Sequence, residues 1–143
     1  MAIAVSGGST SFTSTFTASP TANRAITVPD ASFTLAGTDA AQTFSTPQRG
    51  TVTTDNDGSF DQSVTNNFKC TPTGTFTLTF TNHTAGQSGY VLLVNTSGYA
   101  ISAAATTKLG ASTLATISTA GTYILAYFDD GTNAYVTASG ALS

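Results

Sequence analysis

One histidine, seven acidic residues (all aspartate), five tyrosines and one cysteine carry most of the chemistry open to this 143-residue chain, which contains no glutamate and no tryptophan. His83 lies in the turn-rich stretch TNHTAGQSG, so a Ser-His-Asp arrangement would have one candidate base and no nucleophile-elbow motif. A surface-loop histidine is expected instead. With glutamate absent, glycoside hydrolysis would need two aspartates at a fixed separation, which a linear text does not supply. The stretch DNDGSFD places Asp55, Asp57 and Asp61 close together, as a hard cation would want. Its spacing departs from a calcium-binding loop: Gly58 comes fourth where the sixth position is needed, and no bidentate glutamate follows. A plain hairpin turn is expected there, and again at Asp129 and Asp130 in FDDG. Cys70 can form no disulfide within one chain and is expected to be a small buried hydrophobe. Tyr90, Tyr99, Tyr123, Tyr127 and Tyr135 could stack on a carbohydrate, since their rings are apolar and their hydroxyls stay wet. Packing at the edge of a core is the expectation for them. No catalytic residue, metal ligand or cofactor is assigned, and the chain is read as a non-enzyme.

The elements that would position these groups are strands. Threonine and serine fill about a third of the sequence, and threonine's branched Cβ suits a pleated surface better than a helix. Charged residues are only 8%, against about a quarter in ordinary soluble domains. Four basic residues and a net charge of −3 are too few cations to neutralise a run of phosphates, so neither nucleic acid nor an anionic membrane is expected as a partner. No apolar run reaches the roughly 18 residues of a membrane helix, and the start MAIAVSGGSTS lacks the basic and apolar regions of a signal peptide. Synthesis in a cytoplasm and use as made are expected.

Along the chain, residues 1–50 read as an extended N-terminal β arm and linker. SFTSTFT alternates, Pro20 stops it, AITV follows, and PD turns the chain into SFTLAG. Residues 51–143 read as a β-sandwich domain. TVTT and SFDQSV flank DNDG as a hairpin, NFKC enters the turn TPTG, and TFTLTFT puts Phe76, Leu78 and Phe80 on one face. YVLLV is continuous enough for a strand covered on both faces. STLATIS is left open between a strand and a helical turn. GTYILAYF and NAYVTAS form a second hairpin around DDGT. The fold class expected is all-β, an antiparallel β-sandwich or jelly-roll-like barrel with an N-terminal arm.

PTANRAITVPDASFTLAG, residues 20–37, resembles a segment that recurs in structural proteins of tailed bacteriophages, fibres especially. FKCTPTGTFTLTFTN, AGQSGYVLLVNTSGYAIS and STLATISTAGTYILAYFDDGTNAYVTASGALS resemble a module found at the ends of such proteins. Together the matches span about two-thirds of the chain. The resemblance implies an oligomeric virion component, usually a homotrimer, and carries no catalytic motif. Two roles follow as expectations. The first is a capsid decoration or cement protein on the major capsid protein, its arm adding strands to neighbours through Ile26, Val28, Phe33 and Leu35. The second is a short tail fibre or fibre tip that recognises a host glycan or protein through loops near Gly86–Gly89 or Asp129–Thr132.

Overall fold

In a computed structural model the described residues are 47–142. The arm anchors Ile26, Val28, Phe33 and Leu35 lie outside them. The regular elements of the described chain are nine strands and one short helix. In order it forms β1 (Val52–Thr54), β2 (Ser59–Asp61), β3 (Asn67–Cys70), β4 (Phe76–Thr81), β5 (Ser88–Asn95), β6 (Ile101–Ala103), β7 (Thr107–Lys108), α1 (Ala111–Ile117), β8 (Gly121–Asp129) and β9 (Ala134–Ala138).

The expected antiparallel sandwich or jelly roll is not what these strands build. Odd and even strands of the first six alternate between two sheets, and within each sheet they run parallel. Val52 lies beside Asn67 and Asn67 beside Tyr90, while Ser59 lies beside Thr79 and Phe76 beside Ile101. The path is a solenoid-like coil in which each strand's neighbour is one turn away along the chain. The physical reason lies at the corners. DNDG does not reverse the chain into a hairpin: Asp57 N–H donates to the Asp55 carboxylate at 3.2 Å and Ser59 N–H to the Asp57 carboxylate at 2.8 Å. These Asx turns lead from β1 in one sheet to β2 in the other. The next corner stacks on the first, with Thr71 N–H donating to Asn56 Oδ1 at 2.8 Å and Thr79 N–H to the Gly58 carbonyl at 2.9 Å. Gly58 has φ +83, and a Cβ there would fall 2.1 Å from the Phe76 ring, so glycine is dictated twice over.

The C-terminal part changes direction. β8 pairs antiparallel with β5 along its whole length, from Ser88 opposite Phe128 to Asn95 opposite Gly121. The hairpin of β8 and β9 around the DDGT turn forms as expected, with Asp129 opposite Ala134. β7 then adds parallel to β9, giving the order β1-β3-β5-β8-β9-β7 in the larger sheet and β2-β4-β6 in the smaller. STLATIS resolves as the helix α1, whose Ile117 is buried while Leu109 and Leu114 lean on the core. Buried Asn95 fixes this corner, donating from Nδ2 to the carbonyls of Tyr99 at 2.9 Å and Ile117 at 3.0 Å and accepting the Tyr99 N–H.

The core fills the space between the sheets. Phe60 of β2 meets Phe68 of β3 at 5.0 Å and Phe80 of β4 at 5.5 Å, and Phe80 meets Tyr127 of β8 at 4.7 Å between ring centroids. Tilted rings at these separations are favourable beyond their buried area. Leu78, Val91, Leu93, Tyr123 and Leu125 complete the layer, and Cys70 is fully buried among them as expected. Burial raises its thiol pKa to about 12, with Asp55 and Asp57 adding to the effect, so it is inert. One expectation fails: β5 is covered on its inner face only. Val91, Leu93 and Asn95 are buried, whereas Tyr90 is exposed and Leu92 and Val94 are half-buried.

Candidate functional site

The two loops singled out from sequence come together. Gly86 N–H donates to the Asp129 carbonyl and Asp129 N–H to the Gln87 carbonyl, each at 2.8 Å, which binds the β4–β5 loop to the β8–β9 turn. Gly131, at φ +93, sits against Ala85 across the same junction.

Beneath the loops lies a polar latch. Asp129 is fully buried; its Oδ2 accepts Gln62 Nε2 at 2.8 Å and His83 Nδ1 at 2.6 Å, and its Oδ1 accepts the Gly131 N–H at 2.7 Å. Burial alone would raise this carboxyl, but the donors from His83, Gln62 and Gly131 outweigh it and hold the pKa below the ordinary carboxylate value. Gln62 in turn receives Gln87 Nε2 on its carbonyl at 2.7 Å, and Gln87 also reaches Asn66 Oδ1 at 2.7 Å. An acceptor-only carboxylate dictates that the Gln62 amide present its nitrogen, which leaves Gln62 Oε1 buried without a partner. His83 is therefore not a surface-loop residue: its side chain is 16% exposed and its Nδ1 is committed to Asp129. Among the described residues no hydroxyl is hydrogen-bonded to the ring.

The aspartates of DNDGSFD serve local structure in the same way. Asp61 Oδ1 accepts the Ser63 N–H at 2.8 Å, the Ser63 hydroxyl at 2.7 Å and Asn82 Nδ2 at 2.7 Å, and these bonds lower its pKa. Among the described residues no group of three or more histidine, cysteine or acidic side chains could hold a metal ion, and no helix is long and apolar enough to cross a membrane.

The five tyrosines divide. Tyr123 and Tyr127 are core residues, with hydroxyls bonded to Thr119 and to the Asn66 carbonyl, and Tyr99 is half-buried. Tyr90 and Tyr135 stand outward on the larger sheet, 58% and 49% exposed, and with them stands Phe128 at 53%. Strand register sets the three side by side. Phe128 is directly opposite Tyr135, and Tyr90 is one strand over and two residues along, because Ser88 is opposite Phe128 and Tyr90 opposite Ala126. Lys108 of β7 flanks Tyr135. The strip meets the loop junction at the ends of β5 and β8. Phe128 is the member that a count of tyrosines misses. Its signal was present in TYILAYFDD, where apolar residues occupy both parities of the strand and so cannot all face one core.

Comparison of the chain with protein-family models, with curated proteins and with solved structures gives no match.

Proposed function

We propose that the chain is a non-enzymatic structural protein of a tailed-phage particle, and that residues 47–142 form its receptor-binding tip, as in a short tail fibre or fibre end. The observation that carries this reading is the exposed aromatic strip of Tyr90, Phe128 and Tyr135 beside a loop junction fixed by a buried polar latch. A rigid scaffold that presents apolar rings and loop ends to solvent suits recognition. The coil is finished on its C-terminal side by the antiparallel β8–β9 pair and α1, as the last unit of a linear stack requires. The sequence resemblance to fibre-end modules points the same way.

The decoration or cement role is the second reading. It is favoured by β1 and β2, outer strands among the described residues, whose backbone groups could accept strands from neighbouring subunits. The homotrimer and the contact with a major capsid protein belong to this pair of proposals, and the virion is the location proposed under both.

Gold-labelled antibody against the chain, imaged on intact particles, tests both. Label confined to the tail is expected. Label spread evenly over the shell would replace the tip reading with decoration, and a particle without label would remove both.

A further inference from the structure

We infer that the outward strip of Tyr90, Phe128 and Tyr135 is a stacking platform for an uncharged glycan. The inference rests on the receptor-binding reading and names the ligand class of that site. The three rings occupy three adjacent strands, β5, β8 and β9. Strands lie about 4.8 Å apart, so the platform extends roughly 10 Å across the sheet. An exposed ring offers an apolar face to the C–H side of a pyranose while its edge and hydroxyl stay available to water and to sugar hydroxyls. Ser88 and Thr137 supply further hydroxyls at the margin, both exposed.

Area and charge decide between a glycan and a protein partner. An aromatic side chain presents about 150–250 Å² and these are about half exposed, so with Ile124, 36% exposed on the same face of β8, the apolar strip offers on the order of 400 Å². A stable complex with a second copy or another protein needs about 800 Å² from each partner. Three charged groups border the strip: Lys108 beside Tyr135, Asp130, whose carboxylate accepts the Tyr135 hydroxyl at 3.0 Å, and exposed Lys69 of β3, opposite Leu92 and diagonal to Tyr90. The two lysines stand on β3 and β7, on opposite sides of β5, β8 and β9, so they do not converge on one anionic group, and each charge is a strong partner for sugar hydroxyls. The latch of Asp129, Gln62 and His83 lies behind the strip and holds the ends of β5 and β8 in place before any ligand arrives.

The test is NMR titration of the full chain with cellohexaose, maltohexaose, chitohexaose and mannohexaose, repeated on Tyr90→Ala, Phe128→Ala and Tyr135→Ala. All three positions are exposed, and an unchanged circular dichroism spectrum verifies the fold of each variant. The expected result is ring-proton shifts at all three residues with at least one glycan and about tenfold weaker binding per substitution, about 1.4 kcal/mol each. Glycan binding that the substitutions leave unchanged, or no binding by any of the four, overturns the inference. Concentration-dependent dimers abolished by the same substitutions also overturn it, since the strip is then a contact between copies. Adsorption of the purified chain to host cells separates the two levels. If it persists after periodate oxidation of the cell-surface sugars, the receptor-binding reading stands without the glycan. If the chain does not adsorb to untreated host cells, the receptor-binding reading itself falls.

Discussion

Asp129 sits at the end of β8 with no access to water, a position costly for a charge, and it is stable there because three donors converge on its two oxygens. Its lowered pKa has a defined consequence for stability. A carboxyl whose folded pKa is depressed contributes its full stabilisation above the unfolded value of about 3.9 and loses it as pH falls through the folded pKa. Denaturant midpoints should therefore be flat from neutral pH to about pH 5 and fall on the acid side. Asp129→Asn should cost about 2–3 kcal/mol at pH 7 and make that acid limb shallower. An equally steep acid limb in the variant would assign it to other carboxylates, of which half-buried Asp61 and exposed Asp130 are also lowered. The latch itself was not legible in the sequence. Gln62, His83 and Asp129 lie far apart in the chain, and the turn chemistry around His83 and Asp129 is the same whether the side chain points into solvent or back under the loops. The exposed strip is half legible in the sequence: Tyr90 and Tyr135 are two of the five tyrosines that could stack on a sugar, while their separation from the core tyrosines depends on strand parity in β5, β8 and β9.

At the level of elements, the strands were readable and their directions were not. Alternation in TFTLTFT placed Leu78 and Phe80 inward, and DDGT closed a true hairpin. DNDG and TPTG carry the same turn residues and instead move the chain between sheets. An Asx turn fixes a bend, and whether the strand beyond it pairs with the one before depends on contacts a full turn away. Gly89 is such a contact. An added Cβ would stand 1.7 Å from the Asn66 carbonyl oxygen, which already accepts Tyr90 N–H at 3.0 Å and the Tyr127 hydroxyl at 3.1 Å. Gly89→Ala must push the β2–β3 loop off β5, and a loss of about 3 kcal/mol is expected from overpacking together with the broken bonds. Gly74, in the TPTG corner, has no atom within 4 Å of a built Cβ. Gly74→Ala should be neutral or stabilising by up to about 1 kcal/mol through the unfolded chain. Equal losses at the two positions in urea denaturation would contradict the crowding at Gly89.

For the molecule as a whole, the coil and its cap differ in how they are held. In a parallel coil each turn depends on its nearest neighbours, so stability should fall toward an outer strand. The antiparallel β5–β8 pair is long, buried on its inner face and bordered on both sides by β3 and β9. β1 and β7 are short outer strands of that sheet among the described residues. Amide hydrogen exchange should accordingly be slowest for Val91–Leu93 and Tyr123–Tyr127 and faster for Val52–Thr54 and Thr107–Lys108. The aromatic file from Phe68 through Phe60 and Phe80 to Tyr127 joins the sheets across the core, so the protected region should include the Phe80 amide in the smaller sheet. Uniform protection of all these segments would mean that coil and cap open only together. A graded profile would place the rigid part of the domain behind Tyr90 and Phe128, so that a ligand on the strip would meet strands already ordered and incur little further loss of conformational entropy.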